Sequence, residues 1–258
     1  MTNEQSYRHS HRDPSKGVDY DQYYRTQPWQ KFLWSREQEI LTEITRKYFK
    51  GRDIHLLDFA CGTGRIASFL ENQVKTSTGV DVSSSMLEIA KKKLKRTEII
   101  RADITTQDVL PGRKFNLITA FRFFLNAEPG LRTAAIRTLA GLLTEDGYLV
   151  FNNHHNFGSP WIKYSYMRHR QKRLQSVYNV MTIKEMKELV QRVGLEIIEV
   201  YAVGFFHPPR IPVSYRLNHA LDSLAGRFRC LIRFSEDPVA VCTWHKRPKR
   251  DIPVQTSH

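Results

Sequence analysis

The chain has 258 residues, of which 41% are hydrophobic, and this length is sufficient for one large domain with a complete core. No apolar run reaches the roughly 18 residues of a membrane-spanning helix, and the polar start lacks a signal-peptide core, so we predict a cytoplasmic protein. The formal net charge of +14 favours anionic partners: nucleic acid, a membrane surface, or a phosphorylated or carboxylated small molecule. The three cysteines lack metal-ligand spacing, so we predict neither a metal site nor a disulfide framework.

The first residues of the chain are polar and lack periodicity, as is typical of a disordered tail. We therefore expect a tail over residues 1–17, one domain over residues 18–246 and a basic tail over residues 247–258. The start of the domain, Tyr20 to Trp34, is rich in tyrosine and tryptophan. Two interpretations stay open for it: a helix that packs its rings on the core, or a segment that folds over a bound ligand.

The next short apolar run ends in an acid, Asp58, and in a turn that contains Gly62 and Gly64. Glycines let the backbone turn sharply and approach a ligand, and the helix that follows offers unpaired N–H groups. With Ala67 and Asp81, the spacing also satisfies a dinucleotide-binding fingerprint. However, a carboxylate directly before the glycines would repel a pyrophosphate, whereas it suits a ligand that carries an ammonium and a sulfonium. We therefore predict S-adenosylmethionine as the ligand rather than NAD.

The segment from Asp58 to Gly64 resembles the first motif of the class I S-adenosylmethionine-dependent methyltransferases, an acid followed by x-G-x-G, with Ala60 where glycine is commoner. Two further acids, Asp81 and Asp103, follow the next two predicted strands. The resemblance implies that Asp81 binds the ribose hydroxyls, that Asp103 accepts from the adenine amino group and that Ile104 packs on the ring. The cofactor-binding residues that it implies are Asp58, Ala60, Gly62, Thr63, Gly64, Asp81, Val82, Met86, Asp103, Ile104 and Phe121.

Strands and helices alternate along the chain, which predicts parallel pairing with right-handed crossovers. The predicted strands cover residues 56–59, 76–81, 99–104, 115–121, 148–152, 195–203 and 239–244. The helix start signals are capping boxes at Ser85 to Glu88 and at Thr182 to Glu185, and the dipeptide Asp146-Gly147 is expected to end the helix before strand five. Together with the resemblance, these features predict an α/β, Rossmann-like fold: a seven-stranded, mostly parallel sheet with an antiparallel last strand, helices on both faces and helical cap insertions.

Two insertions, residues 157–180 and 205–236, are longer than simple connections, and we expect them to form a cap over the substrate pocket. The first opens a helix over about residues 160–178 that carries many cations, among them Arg168 and Arg170. The second carries an apolar stripe at helical spacing, formed by Leu217, Leu221 and Leu224.

Methyl transfer from a sulfonium requires a collinear arrangement and the exclusion of water, but no fixed catalytic motif. An oxygen acceptor usually needs a base or a metal, whereas an amine only needs to arrive neutral. The base candidates are His154 and His155, which follow strand five; alternatively, one bonds neighbouring backbone and the other is solvated. The candidate substrate contacts are Tyr20, Tyr24, Arg122, Asn126, Arg168 and Arg170. For Arg122, a pair with a surface acid is the alternative.

The function that we predict is methyl transfer to an O or N atom of a small, anionic or sugar-like acceptor, such as a phosphosugar, a nucleotide-sugar or a glycan intermediate. An RNA methyltransferase is an alternative, because tyrosines and arginines interleave over residues 161–178. A second alternative uses the basic region 205–250 against anionic lipid, as a non-catalytic protein or as a membrane-surface quinone or lipid methyltransferase. Methylation of DNA-base amines is disfavoured, because Phe121-Arg122-Phe123-Phe124 stands where that branch has Asn/Asp-Pro-Pro-aromatic.

Overall fold

The structure is a computed structural model that describes residues 22–23, 26–168, 180–205, 215–228 and 230–245. Its helices are α1 (Pro28–Tyr48), α2 (Arg65–Leu70), α3 (Ser84–Lys93), α4 (Pro129–Leu142), α5 (Pro160–Arg168), α6 (Ile183–Gln191) and α7 (Tyr215–Gly226). Its strands are β1 (His55–Phe59), β2 (Thr76–Asp81), β3 (Thr97–Arg101), β4 (Phe115–Ala120), β5 (Leu143–Asn152), β6 (Leu195–Tyr201) and β7 (Val239–Trp244). The predicted tails, residues 1–17 and 247–258, lie outside the described residues.

The strands form one seven-stranded sheet in the order β3-β2-β1-β4-β5-β7-β6. The first five strands pair in parallel, and β7 runs antiparallel to both of its neighbours, β5 and β6. This arrangement confirms the predicted fold class. The strand order reverses between β1 and β4, and in open α/β sheets ligands bind at such a switch point, outside the carboxyl ends of the strands.

The central strands are buried on both faces, because successive side chains point to opposite sides of the sheet. Leu56 packs in a cluster that contains Leu41 of α1 and Leu70 of α2. The next residue, Leu57, packs in the opposite cluster, which contains Leu139 of α4. Helices therefore cover both faces, as predicted, which leaves the carboxyl edge of the sheet accessible for a site.

Two helix starts were predicted from capping boxes, and the structure confirms one of them. At α6, Thr182 Oγ1 accepts from the N–H of Glu185, whose side chain accepts in return from the N–H of Thr182. At α3, the prediction was wrong: the cap is Ser83, two residues before the predicted Ser85, and its Oγ accepts from the N–H of Met86. The reason lies in the preceding strand end, where an aspartate accepts from the N–H of Ser83 and thereby fixes the turn.

The predicted helix end at Asp146-Gly147 was also wrong. Helix α4 ends at Leu142 and β5 begins at Leu143, so that Asp146 and Gly147 lie inside the strand. The cause is a shift of register, because Phe115 pairs with Leu143 whereas Leu117 pairs with Tyr148. A Cβ at Gly147 would lie 2.7 Å from Leu143 Cδ1, so a larger residue there would displace the side chain of Leu143.

Each of the two predicted insertions contains a helix. Helix α5 is described up to Arg168, and the rest of the helix predicted over residues 160–178 lies outside the described residues. Helix α7 carries the predicted leucine stripe, but Leu217 and Leu224 are exposed rather than packed on the core. Among the residues that the structure describes, none of the helices combines the length and the hydropathy that crossing a membrane requires.

Candidate active site

The turn between β1 and α2 forms the floor of the site. Three of its residues have positive φ angles: Ala60 at 53°, Gly62 at 55° and Gly64 at 75°. A Cβ at Gly64 would lie 3.0 Å from Leu94 Cδ1 and 3.2 Å from Ala90 Cβ, so the backbone here packs directly against α3 and its flank. Glycine is therefore favoured at position 64 by the lack of space as well as by the backbone conformation. Ala60 adopts a left-handed conformation although it carries a Cβ.

Asp58 lies at the carboxyl end of β1 and is almost completely buried. Its Oδ1 accepts from Thr119 Oγ1 at 2.8 Å, and its Oδ2 accepts from the N–H of Ala67 at 3.1 Å. Burial outweighs these hydrogen bonds and raises the pKa of the carboxyl to about 7. A cation that enters the cleft beside Asp58 would therefore draw this group into its charged form at neutral pH.

Two further acids follow the neighbouring strands. Asp81 Oδ2 accepts from the N–H of Gly62 at 2.8 Å, and Oδ1 accepts from the N–H of Ser83 at 2.8 Å, so this carboxylate links the glycine turn to the start of α3. Asp103 Oδ1 accepts from the N–H of Thr105 at 3.0 Å and from its hydroxyl at 2.6 Å. The three predicted acids therefore stand in a row along the carboxyl edge of β1, β2 and β3.

Two cavities open along this row of acids. The first, the cleft, is lined by Tyr23, Asp58, Ala60, Cys61, Gly62, Thr63, Arg65, Ile66, Asp81, Met86, Phe121, Arg122, Asn126 and His154. The second, the slot, is mostly apolar and is lined by Phe59, Ala60, Val80, Asp81, Val82, Ala102, Asp103, Thr105, Phe123 and Leu131. Ala60 and Asp81 line both, so the cavities adjoin. A ligand with an apolar ring at one end and a polar, cationic group at the other matches this pair of cavities.

Arg122 is held in the cleft by acids from distant parts of the chain. It has a positive φ of 62°, and its N–H donates to Asn152 Oδ1 at 2.6 Å. Its Nη2 donates to Asp237 Oδ2 at 3.3 Å and lies 3.8 Å from Glu37 Oε1, while Asn152 donates to the other oxygen of Asp237 at 2.8 Å. Both acids are buried. The predicted alternative, a pair with a surface acid, was therefore wrong.

A second arginine, Arg65, faces the same cleft. It pairs with Glu37 and lies over the ring of Trp34, 4.5 Å from the ring centre. Because Glu37 is 1% exposed and Arg65 is 14% exposed, the pair is shielded from water and Glu37 is shared between two arginines. The positive charge of the cleft is thus balanced by acids beneath it.

Three asparagines at the end of β5 and directly after it support the site from below. Asn152, Asn153 and Asn156 are all fully buried. Asn153 Nδ2 donates to the carbonyl of Met181 at 2.6 Å, and Asn156 Nδ2 donates to the carbonyl of Ser235 at 2.8 Å. The bond of Asn156 attaches the segment before β7, which carries Asp237, to the end of β5, and the bond of Asn153 attaches the residues before α6 to the same place.

The two histidines between these asparagines lie in different surroundings. His154 lines the cleft, is 7% exposed, and its Nδ1 has no hydrogen-bond partner among the described residues. Burial, together with the charges of Arg122, His155 and Arg65, holds the pKa of His154 well below 6.5, so the ring is neutral at pH 7. His155 has a positive φ of 64° and does not line the cleft. The structure therefore brings only His154 to the acids and arginines.

Comparison with known proteins identifies the kind of enzyme to which this site belongs. Residues 33–200, well over half of the chain, match the model of a family described as a methyltransferase domain. The chain belongs to this family. This membership confirms the predicted class I S-adenosylmethionine-dependent methyltransferase, its enzyme class and its cofactor.

Individual relatives match over shorter or more divergent stretches. This methyltransferase is 44% identical over 78 residues to the demethylmenaquinone methyltransferase of Leptospira interrogans, which covers 29% of the chain and 30% of the relative. It is 28% identical over 129 residues to the malonyl-(acyl-carrier protein) O-methyltransferase of Priestia megaterium, which covers 47% of the chain and 44% of the relative. The chain thus spans less than half the length of either relative.

Solved structures agree with the fold. One of the similar structures is the magnesium protoporphyrin IX methyltransferase of Synechocystis PCC 6803 with bound S-adenosylhomocysteine, with a TM-score of 0.62. The two sequences are 12% identical, and the match covers 93% of this chain and 99% of the other. At this identity the likeness supports the shared fold of the methyltransferase and leaves the acceptor open.

The cofactor-binding residues predicted from the motif lie in the two cavities with two exceptions. Gly64 lies behind the turn against α3, and Ile104 is buried and lines a separate depression with Val109 and Leu110. The apolar walls of the slot come from other residues, among them Val82 and Phe123.

The predicted substrate contacts are dispersed. Arg122 and Asn126 line the cleft of the methyltransferase, and Asn126 Nδ2 donates to the carbonyl of Arg122 at 2.8 Å. Arg168 is exposed at the end of α5 and does not line either described cavity. The three remaining candidates, Tyr20, Tyr24 and Arg170, lie outside the described residues. The N-terminal aromatic segment nevertheless reaches the cleft, through Tyr23.

The sequence did not predict the buried acids that pair with Arg65 and Arg122. Glu37 lies at helical spacing from Leu33, Ile40 and Leu41 of α1, so a charged residue on an otherwise apolar stripe was a usable signal. Asp237 gave no such signal, because it lies in an irregular segment directly before the last strand.

Proposed function

We propose that the protein transfers a methyl group from S-adenosylmethionine to an O or N atom of a small, sugar-like or anionic acceptor. The observation that carries this proposal is the neutral, buried His154 in the same cleft as Asp58. S-adenosylmethionine, when bound, supplies a methyl group that is activated on a sulfonium. The residues of the chain must therefore orient the two substrates, exclude water and accept the proton of the acceptor.

The two cavities fit the cofactor in one orientation. Asp58 would face the ammonium and sulfonium, since its carboxyl is already poised to become charged. Asp81 would accept from the ribose hydroxyls at the junction of the cleft and the slot. The adenine would lie in the slot between apolar side chains such as Val82 and Phe123, with Asp103 at its amino group. The positive-φ backbone of the glycine turn allows this close approach.

The charge balance of the cleft limits the acceptor. Arg65 and Arg122 are matched by Glu37 and Asp237, so the interior offers no surplus of positive charge for a phosphate. An acceptor that places a hydroxyl or an amine beside His154 fits this interior. Any anionic group of the acceptor would lie outside the cleft, where the exposed Arg168 and the excess of basic residues favour it. Phosphosugars, nucleotide-sugars and glycan intermediates combine these two features.

Binding of S-adenosylmethionine should release protons. Burial raises the pKa of the Asp58 carboxyl to about 7, so part of the free protein is protonated at pH 7, and because a neighbouring cationic ligand lowers this pKa, a fraction of a proton should leave on binding. Calorimetric titrations at pH 7 in phosphate and in Tris should differ by the corresponding buffer heat. The release should shrink towards pH 9, where the carboxyl is already ionised, and should disappear in Asp58→Asn. Titration with NAD is the control and should give no binding heat.

Replacement of His154 should slow methyl transfer selectively. If His154 accepts the proton of the acceptor, His154→Gln should lower kcat by about 10²- to 10⁴-fold and leave the affinity for S-adenosylmethionine nearly unchanged. In the native protein, kcat should fall on acidification with a midpoint below pH 6.5, because the neutral ring is required and its pKa is lowered. The assay is formation of S-adenosylhomocysteine during a screen of phosphosugars and nucleotide-sugars.

His155→Asn is the matched control for this prediction. Asparagine tolerates the positive φ of His155, and that residue does not line the cleft, so kcat should change little. Equal kcat values for His154→Gln and the native protein would show that proton transfer does not pass through His154. The acceptor would then be an amine that arrives neutral, or a group that loses its proton to water.

A further inference from the structure

Helix α7 has its polar and apolar faces reversed relative to a helix that packs on a core. Its buried side chains include Asn218, 8% exposed, and Asp222, 2% exposed. Two of its three leucines point outwards, with Leu217 52% and Leu224 54% exposed, and the third, Leu221, is partly buried. Surface helices normally bury the apolar stripe, so this reversal places apolar surface in contact with the surroundings.

The apolar surface continues beyond the helix. Phe228 is 53% exposed and Leu231 is 37% exposed. Among the described residues eight large hydrophobic side chains are exposed, and four of them belong to this segment: Leu217, Leu224, Phe228 and Leu231. Such clustering marks an interaction surface, because single exposed hydrophobics are otherwise scattered. We refer to the exposed side chains of α7 and of residues 227–228 and 230–233 as the cap face.

The charges on the cap face have one sign. Arg216, Arg227 and Arg233 are exposed. The acid of the described residues in this segment, Asp222, is buried and accepts from the N–H groups of Gly204 and Phe205, both at 2.9 Å. The outward surface of the described part of the segment therefore carries arginines and apolar side chains without an exposed acid.

A partner for this face must offer apolar volume and negative charge together. A second copy of the chain would bring no exposed acid to these arginines, since a two-fold interface pairs the patch with itself. Nucleic acid offers the charge, but leucine side chains gain nothing from its backbone. An anionic bilayer offers both, because acyl chains lie directly beneath the phosphates of the head groups.

We propose that the cap face binds the surface of an anionic bilayer. Leu224, Phe228 and Leu231 enter the boundary between head groups and acyl chains, and Arg216 and Arg227 lie at the level of the phosphates. Helix α7 is held on the body of the protein while it does so: besides the bonds of the buried aspartate, the side chain of its His219 lies 3.0 Å from Glu39 Oε2 of α1. The face is therefore presented as a fixed surface and needs no unfolding to bind.

A short series of hydrogen bonds connects the cap face to the cleft. Gly204, whose N–H is bound by Asp222 of α7, accepts through its carbonyl from the N–H of Glu236 at 3.0 Å. The next residue, Asp237, holds Arg122 in the cleft. These bonds thus connect the proposed membrane surface to the cleft, which would hold the cleft at a defined position above the bilayer. The proposal does not depend on the identity of the acceptor.

The test is co-sedimentation of the full chain with vesicles of phosphatidylcholine that contain phosphatidylglycerol, and with vesicles of phosphatidylcholine alone. We expect binding to the anionic vesicles that weakens as salt is added. Leu224→Ser combined with Phe228→Ser should weaken binding at least about tenfold, because both apolar side chains leave the bilayer. Arg227→Glu should weaken it roughly tenfold by charge reversal.

The controls carry the same chemical changes elsewhere on the surface. Ile198→Ser removes an exposed apolar side chain from β6, and Lys184→Glu reverses an exposed charge on α6, and both should bind as the native chain does. All the replaced side chains are exposed, and unchanged thermal unfolding checks that each variant is folded. The proposal is overturned if the chain ignores anionic vesicles, if the controls lose as much binding as the cap-face variants, or if the cap-face substitutions instead dissociate a dimer in sedimentation velocity.

Discussion

Asp81→Ala should reduce the affinity for S-adenosylmethionine by roughly 100-fold or more. The carboxylate would accept two charge-assisted hydrogen bonds from the ribose, and each such bond contributes about 1.5–3 kcal/mol. The same substitution removes the acceptor of the N–H groups of Gly62 and Ser83, so the glycine turn also loses its link to α3. Both effects act in the same direction, and calorimetric titration measures their sum.

The ribose contribution can be separated from the effect on the turn. The native protein should bind the 2′,3′-dideoxy analogue of S-adenosylhomocysteine far more weakly than S-adenosylhomocysteine itself, whereas Asp81→Ala should bind the two ligands with similar affinity. Asp108→Ala, which removes an exposed acid outside both cavities, should behave as the native protein does. If Asp81→Ala still discriminates between the two ligands as strongly as the native protein, another residue binds the ribose.

The residues of the predicted cofactor site could be named from the sequence because their determinants are local. A glycine turn needs positive φ at fixed positions, and an acid at a strand end is visible as the polar residue that closes an apolar run. Asp58 and Asp81 could therefore be placed at one edge of one sheet before any tertiary contact was known. The alternation of strands and helices predicts that the strands pair in parallel, and the resemblance predicts that the last strand, β7, runs antiparallel to its neighbours.

Details that depend on tertiary packing could not be predicted in the same way. Ser83 rather than Ser85 caps α3 because a carboxylate of the preceding strand end fixes the turn, and the bulge of β5 depends on its pairing with β4. The sequence showed the apolar stripe of α7, but it did not show that this stripe faces outwards, because the buried Asp222 determines which face of the helix packs on the protein. Periodicity identifies the two faces of a helix without showing which one meets the core.

The arginine network illustrates the same limit inside the active site. Arg122 and Asp237 are separated by 115 residues in the chain, and no local pattern connects them. The surroundings of His154 also depend on this network, since burial and the charges of Arg122 and Arg65 lower the pKa of its ring. The sequence could therefore place a histidine at the edge of the sheet, whereas its protonation state required the folded structure.

Arg122→Gln should lower the free energy of unfolding by about 3–5 kcal/mol at pH 8, because the buried carboxylate of Asp237 loses its cation and that of Glu37 keeps only Arg65. Glutamine keeps the backbone N–H that donates to Asn152 and meets no new conformational cost at this positive φ, since arginine already bears it. The loss should therefore report the buried charges. Urea unfolding followed by circular dichroism measures the loss of stability. The control is Arg113→Gln, which removes a partly exposed ion pair with Glu98 and should cost less than about 1 kcal/mol.

The loss should also depend on pH in a defined direction. Burial raises the pKa of Asp237 to about 6 in the native protein, and that of the adjacent Glu236 to about 8. A carboxyl whose pKa is higher in the folded state than in the unfolded state gains stability as the pH falls through the folded value. Without the cation of Arg122 both pKa values rise further, so the variant should recover part of its stability between pH 8 and pH 6. The double variant Arg122→Gln with Asp237→Asn should show most of this recovery of stability already at pH 8. If Arg122→Gln alone loses the same free energy of unfolding at pH 8 and at pH 6, Arg122 stabilises the fold by packing rather than by charge.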